Sequence, residues 1–317
     1  MANCDHLFRV FNDALKIPSS KQEKMMISKN ALRKRIREYF EKNHPGYKPE
    51  FYIQGSYKMK TSIRTKDDTC DLDDGVYFKS NPDNVSATTL QKWVRDAVDG
   101  VTDATPAHRK KCITVDYKAG YNIDLPVLIF DSNIDVHPSL AVKNVGFWDD
   151  DPKEFIDHFN KTKDSAGQLI RIVKYLKAWC DHKRQKMPSG LVMTILAMDH
   201  LQTNDRDDIS LKYTLVEIER VLKRNFKCVM PTTPQDDLFE DYTDTRQENF
   251  MNNLADFIVD ARKAVDEEKN QLRASRLWQK HLGDVYFPDG EDADEKATDT
   301  SRLSQTIGTA RPYYGIK

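Results

Sequence analysis

From Leu7 to Phe40 the apolar residues recur at the three- and four-residue intervals of amphipathic helices. Leu7, Phe8, Val10, Phe11 and Leu15 form one cluster. Pro18-Ser19-Ser20 then breaks the run and offers an N-cap to a second helix, which carries Met26, Ile27, Leu32, Ile36, Tyr39 and Phe40. Asn43-His44-Pro45-Gly46 ends that pattern, and the period drops to two. Phe51-Tyr52-Ile53-Gln54 predicts an entry strand, and Asp71 to Phe78 a second one. Thr88 to Val98 predicts a helix on Leu90, Trp93, Val94 and Ala97. Lys111 to Tyr117 and Tyr121 to Phe130 predict two strands joined by the tight turn Lys118-Ala119-Gly120. Phe147-Trp148-Asp149-Asp150-Asp151 reads as a turn and N-cap before a helix over Pro152 to Asn160.

The remainder is helical. Leu169, Ile172, Val173, Leu176 and Trp179 make the buried stripe of a helix from about Asp164 to Lys183, with Lys177 at the stripe's edge and able to reach inward. Met187-Pro188-Ser189-Gly190 restarts a helix, with Pro188 suited to its first turn and Ser189 offering a hydroxyl there. Leu215 to Asn225 and Arg246 to Trp278 continue the pattern. Pro288 to Lys296, acidic and poor in apolar residues, predicts a mobile loop. The end of the chain, Arg311 to Lys317, carries Tyr313 and Tyr314 without assignable periodicity. This order predicts a mixed α+β fold without regular strand–helix alternation. A small mixed sheet with flanking helices, the N-terminal ones included, would occupy residues 1–163. A helical domain over 164–317 would close a cleft against it.

Composition narrows the picture. The 317 residues hold 49 Lys and Arg against 50 Asp and Glu. That balance argues against a protein built to coat long nucleic acid, while leaving room for a local basic pocket. Five cysteines form no Cys-x-x-Cys pair, which gives a zinc site no support and points to a reducing cytoplasm. No signal-peptide pattern opens the chain, and no apolar run approaches the ~20 residues of a membrane span.

The candidate chemistry clusters between residues 54 and 124. Gly55 lets backbone N–H groups approach a ligand closely. Ser56 adds a hydroxyl at the start of the next segment, where helix N-terminal amides favour an anion. Asp71 and Asp73 lie two apart on a strand, so both carboxylates leave one face. They repel each other, and a divalent cation relieves the repulsion, with phosphate oxygens completing its shell. Asp124 is a third acid inside an apolar strand, where an unpaired charge is expensive. Three strand-borne carboxylates after a Gly-Ser turn suit two-metal phosphoryl transfer. Arg64 and Lys66, in the polar connection Thr61 to Cys70, read as a solvated loop.

Gln54-Gly55-Ser56, Asp71-Leu72-Asp73-Asp74-Gly75-Val76-Tyr77, Ile123-Asp124-Leu125-Pro126, Lys177-Ala178-Trp179 and Pro188-Ser189 resemble, in order and spacing, the bacterial cGAS/DncV-like nucleotidyltransferases (CD-NTases). Among these the chain is most similar to bacterial cyclic GMP–AMP synthases. The likeness covers about residues 50 to 200; the region before the Gly-Ser turn and the acceptor-side segments depart from it.

The resemblance implies a polymerase-β-like core and synthesis of a cyclic dinucleotide such as cyclic GMP–AMP, or a trinucleotide, from ATP, GTP or other nucleoside triphosphates. It also implies a role in anti-phage signalling through a downstream effector. Gln54, Gly55, Ser56, Lys177 and Ser189 would hold the nucleotide. Asp71, Asp73 and Asp124 would be catalytic and bind two Mg2+, with Mn2+ as a substitute. Two other classes share these residues: a template-independent transferase acting on RNA, protein or a small molecule, and a non-catalytic nucleotide sensor.

Overall fold

The computed structural model describes residues 1–184 and 186–294; the Arg311 to Lys317 segment lies outside the described residues. The two opening helices are α1 (Asp5–Ala14) and α2 (Ser19–Asn43). They are followed by β1 (Pro49–Gln54), the short α3 (Gly55–Lys58), β2 (Cys70–Phe78), α4 (Ala87–Val98), β3 (Ala107–His108), β4 (Ile113–Tyr117), β5 (Tyr121–Leu125), β6 (Val127–Ile129), β7 (Ser139–Val142) and β8 (Gly146–Asp149). The helical half comprises α5 (Pro152–Thr162), α6 (Gln168–Lys183), α7 (Gly190–His200), α8 (Asp207–Arg224), α9 (Asp244–Arg262), a π turn (Lys263–Glu267) and α10 (Gln271–Leu282). None of these helices is long and apolar enough to cross a membrane.

The strands form one mixed eight-stranded sheet with β2 inside it. On one edge β2 pairs antiparallel with β1. On the other it runs parallel to β5 and then to β6 in a single register, the two strands parted at Pro126, whose carbonyl accepts from Val76 N–H at 2.8 Å. Proline has no N–H for the ladder, so the strand expected over Tyr121 to Phe130 divides there. β4 lies against β5, and β7 against β6, both antiparallel. The sheet is wider than the pattern suggests because Gly146–Asp149, expected as a turn, is strand β8 paired with β7. The expected N-cap follows directly: the Asp151 side chain accepts from Lys153 and Glu154 N–H.

One face of the sheet is covered by α2 and α4, whose Leu32, Ile36, Phe40, Leu90 and Val94 pack on Leu72, Val76, Phe78 and Ile123. The helical half has its own core. Helices α1 and α5, which a division at residue 163 assigns to the sheet unit, bury Leu7, Phe8, Phe11, Phe155, Ile156 and Phe159 there. Phe8 meets Tyr175, Trp278 and Phe287 edge-on with ring centroids 5.1, 4.9 and 5.0 Å apart. The N-terminal backbone is tied to the same half. Ala2 N–H donates to Glu268 O at 2.7 Å, and Gln271 Nε2 to Asn3 O at 2.7 Å. The acidic stretch from Pro288 to Asp294, expected as a mobile loop, is held against α10. Leu272 N–H donates to Glu291 O at 2.9 Å and Gln271 N–H to Ala293 O at 3.1 Å.

Asp74 belongs to the acidic run yet leaves the opposite face of β2 from Asp71 and Asp73, and it is fully buried. Arg33 of α2 grips it with two bonds, Nε to Oδ2 at 2.8 Å and Nη2 to Oδ1. This pair clamps α2 to the central strand. Removing one partner of a buried ion pair leaves an uncompensated charge, a loss of about 3–5 kcal/mol. Arg33→Ala should therefore lower unfolding stability by about that amount in denaturant melts. A loss below about 1 kcal/mol would refute the clamp.

Candidate functional site

The turn between β1 and α3 admits only glycine. Gly55 has φ +62°, and a Cβ there would lie 2.0 Å from Asp73 Oδ2. The turn thus brings its backbone directly against the first acids. Gln54, just before it, is buried, and its Oε1 accepts from Tyr77 Oη at 3.1 Å. Ser56 Oγ lies 2.8 Å from Ser62 Oγ, and its carbonyl accepts from Thr61 N–H at 2.9 Å.

The parallel register places Asp73 opposite Asp124 and Asp71 opposite Asn122. Side chains at paired positions share a face, so all three carboxylates converge. Thr114, opposite Asp124 on β4, donates Oγ1–H to Asp124 Oδ1 at 2.5 Å. The Asn122 amide, oriented by its neighbours, donates to Asp71 Oδ1 and, at 3.0 Å, to Cys70 O.

Burial, then the charges of Asp124 and Asp71, push the Asp73 carboxyl up to about 7, with Lys177 opposing. Asp71 is raised by burial and by Asp124. Asp124 is raised by burial, against the Thr114 hydrogen bond. Burial lowers Lys177 to about 8, against the attraction of Asp73. Lys177 acts on Asp71 and Asp73 and Arg109 on Asp124, so among the described residues that these interactions name two cations face three converging carboxylates. Their hard oxygen donors fit a divalent cation of the Mg2+ kind.

Asp71, Asp73, Gln54, Gly55, Ser56 and Lys177 line one open cavity of about 830 Å3 between the sheet and the helical half. Asp124, opposite Asp73 on the neighbouring strand β5, is not among the residues that line it. Lys177 crosses from α6 to donate to Thr61 O and Thr61 Oγ1, both at 3.2 Å. It therefore touches the same connection that folds back on Ser56. Ser189 is exposed and serves as the N-cap of α7, accepting from Val192 N–H at 3.3 Å. Its neighbours Pro188 and Gly190 line the cavity, and Pro188 precedes the helix instead of opening it.

The connection carrying Arg64 and Lys66 is not a solvated loop. Lys66 N–H donates to Asp181 Oδ2 at 2.6 Å, and its Nζ to His182 O at 3.1 Å. Arg64 Nε donates to Tyr286 Oη at 3.0 Å. Each residue bolts the loop to the helical half. Sequence reasoning also missed Thr114, whose alternation with Ile113 and Val115 on β4 sets it apart from those apolar neighbours and opposite Asp124. It further missed Lys111 and Asp150, which line the far part of the cavity. Elsewhere, His137, Asp151 and Glu154 bring one ligand-type atom each within 4.8 Å of one another. Asp151 there caps α5, and Glu154 accepts from Thr233 N–H at 3.0 Å.

Comparison with known proteins agrees with this fold. Residues 49–128 match the family model described as cyclic GMP-AMP synthase DncV-like, nucleotidyltransferase domain. A cyclic GMP-AMP synthase of Escherichia albertii is 29% identical over 185 residues, which are 53% of this chain and 41% of that protein. The matched region thus spans about two fifths of the relative's length. The GTP-bound form of Vibrio cholerae DncV superimposes with a TM-score of 0.78 at 15% identity, over 90% of this chain and 96% of that one. The same Vibrio protein in complex with the linear intermediate 5′ pppA(3′,5′)pG gives 0.77 at 16% identity, over 90% and 95%. At such identities the likeness establishes the shared fold.

The raised Asp73 carboxyl has a consequence for the metal-free protein. A carboxyl raised on folding contributes stability that is fully present below its unfolded pKa, near 3.9. That stability is lost as pH rises through the folded value of about 7. In chelator, Asp73→Asn should therefore melt higher than the parent above pH 7, with the gap closing toward pH 4. A gap independent of pH, measured by thermal melts across that range, would contradict the electrostatic account.

Proposed function

We propose that this chain, whose residues 49–128 form a DncV-like nucleotidyltransferase domain, joins nucleoside triphosphates into a cyclic dinucleotide second messenger. The observation that carries the reading is the register pairing Asp73 with Asp124 beside the Gly55-Ser56 turn, with Lys177 facing them across one cavity. In this proposal the sheet holds the acids, and the helical half, α1 and α5 included, closes over the triphosphate.

The Gly55 backbone and the Ser56 hydroxyl hold the donor phosphates, supported by Gln54. Lys177 neutralises the phosphate tail from the helical side. Ser189 lies at the rim, beside the lining residues Pro188 and Gly190, where it assists once the tail is bound. Asp71, Asp73 and Asp124 would hold two divalent cations, Mg2+ or Mn2+, which lower the pKa of the attacking hydroxyl and neutralise the leaving pyrophosphate.

Asp124, fixed by Thr114, orients the acceptor ribose hydroxyl and takes up its proton. The hydroxyl oxygen bonds to the donor α-phosphorus, and the α–β phosphoanhydride bond breaks. Such transfer needs positioning and charge neutralisation more than a covalent nucleophile. Repeating the step on the linear product closes the ring, in keeping with the linear intermediate held by the Vibrio relative. The product would act in the cytoplasm on an effector in anti-phage defence.

Incubation with all four ribonucleoside triphosphates and Mg2+, with products identified by mass, tests the reading. A cyclic dinucleotide supports it. Nucleotide added only to RNA, protein or a small molecule would favour a plain transferase, and no product at all a sensor.

Two substitutions sharpen the roles. Asp124→Asn should retain triphosphate binding by calorimetry while losing at least about 100-fold in formation of both linear and cyclic product. Near-normal product from this variant would remove Asp124 from the chemistry. Lys177→Ala should weaken triphosphate affinity by about tenfold or more, the scale of a charge-assisted hydrogen bond, without unfolding the protein. Unchanged affinity would return Lys177 to a purely structural role on Thr61.

A further inference from the structure

The three acids are held differently. Among the described residues, neither oxygen of the Asp73 carboxylate accepts a hydrogen bond, and its Oδ2 lies against the Gly55 turn. Asp71 has one oxygen engaged, Oδ1, by the Asn122 amide. Asp124 also has one engaged, because the Thr114 hydroxyl donates to its Oδ1 at 2.5 Å. Asn122 is half-buried, whereas Thr114 is only 4% exposed.

The Thr114 bond is built into the sheet. Thr114 pairs with Asp124 across β4 and β5, and paired positions present their side chains to one face. Ile113 and Val115, on either side, are fully buried in the core on the opposite face. A slip of one residue would turn those aliphatic side chains to the acids, so the register that packs the core also fixes this hydroxyl. A buried hydroxyl requires an acceptor, and the single Thr114 O–H has the carboxylate. The branched Cβ leaves the side chain few rotamers, which stiffens the contact. The Cys112 thiol, 3.8 Å from Thr114 Oγ1, is a weaker donor to the same carboxylate. Arg109 and Asp116 reach Asp124 as charges only, with opposite effects on its carboxyl.

What the bond restricts is how Asp124 can meet a cation. A carboxylate ligates a metal through one oxygen or through both. Ca2+ accepts either mode in a large, flexible shell. Mg2+ demands near-octahedral geometry, which the narrow bite of a two-oxygen contact distorts. With Oδ1 engaged by Thr114, the oxygen left over is Oδ2. Turning the carboxylate to offer both would break a buried hydrogen bond to an ionised group, which is stronger than one between neutral groups.

Resting on the reading of Asp71, Asp73 and Asp124 as holders of divalent cations, we propose that Thr114 is a positioning residue that selects the ion. By engaging Oδ1 it keeps Asp124 to one coordinating oxygen. That suits Mg2+ and withholds from Ca2+ the second oxygen it could use. Ion preference is then set by a side chain that touches neither metal nor nucleotide, through the orientation it gives an acid that does.

The test is competition for bound Mn2+ on the full chain without nucleotide. Protein-bound Mn2+ loses the sharp paramagnetic resonance signal of the free ion, so displacement by Mg2+ or Ca2+ is read directly. In the parent, Mg2+ should displace Mn2+ at lower concentration than Ca2+ does. Thr114→Val keeps the branched shape and removes the hydroxyl. In this variant Mg2+ affinity should fall about tenfold or more, the scale of a lost outer-shell contact. Ca2+ affinity should hold within about twofold or rise, so the ratio of the two affinities moves about tenfold toward Ca2+. Thr114→Ser, which restores the hydroxyl, should return the ratio to within about threefold of the parent.

A ratio unchanged in Thr114→Val overturns the inference, as does a Thr114→Ser variant that behaves like the valine one. So does a parent that prefers Ca2+, a result that requires no variant to fold. Both affinities of a variant are read on one preparation. A smaller folded fraction or a purely structural role for Thr114 therefore lowers the two alike and leaves their ratio intact. Asp124→Asn separates this inference from the reading beneath it. If that substitution weakens Mn2+ binding while the ratio ignores Thr114, only the ion-selecting role falls. If the parent binds no Mn2+, or Asp124→Asn binds it as the parent does, the metal reading of the acids falls and this inference with it.

Discussion

Two negative side chains held face to face across neighbouring parallel strands set the terms for everything else. Asp73 and Asp124 are neighbours because β2 and β5 share a register, and that register places their side chains on one face. Neither can turn away without breaking the pairing of Leu72 with Ile123, which are both fully buried in the core beneath. The sheet therefore imposes a repulsion that only positive charge relieves. Much around it follows: a turn with room for no Cβ, a lysine that reaches across from the other half, and hydrogen-bond donors at Thr114 and Asn122 aimed at the acids. The rest of the core stabilises a juxtaposition that would not form by itself.

Much of the fold was legible because it rests on local periodicity. The helices over Leu7 to Phe40, the strand bearing Asp71 and Asp73, the hairpin returning at Asp124 and the helix carrying Lys177 all read directly from spacing. What spacing could not reveal was partnership. The stripe of α1 looks the same whether it covers a sheet or joins a bundle, and it joins the bundle. The strand at Gly146–Asp149 is four residues long and half of it is exposed, too short and too polar for an alternating signal. The segment near Asp294 looked unanchored because it is held mainly by backbone groups, which no composition records.

The site shows the same division. The Gly-Ser turn and the three acids are local words with a chemical meaning, and the structure gathers them at one place. Lys177 was visible only as a cation at the edge of an apolar stripe, and its contact with Thr61 is a tertiary fact. Arg64 and Lys66 resembled solvated basic residues because charge alone does not tell a phosphate contact from an anchor to a carbonyl or a tyrosine. Asp150 was hidden inside a run of three aspartates. One of them caps a helix, and another, Asp149, pairs with Ser139 of β7 and accepts from its hydroxyl at 3.3 Å. Only placement separates the one that faces the cavity.

The tie between Ala2 and Glu268, with Gln271 bound to Asn3, makes the helical half discontinuous along the chain. Its first helix precedes every strand of the sheet in the chain, while Gln271, which bonds to Asn3 just before that helix, comes 268 residues later. In the interval Phe8 and Phe11 can meet Tyr175, and Trp278 and Phe287 come only later, while the sheet half can already pair its strands. Helix α1 is thus completed as part of the helical half only when segments some 268 residues apart meet.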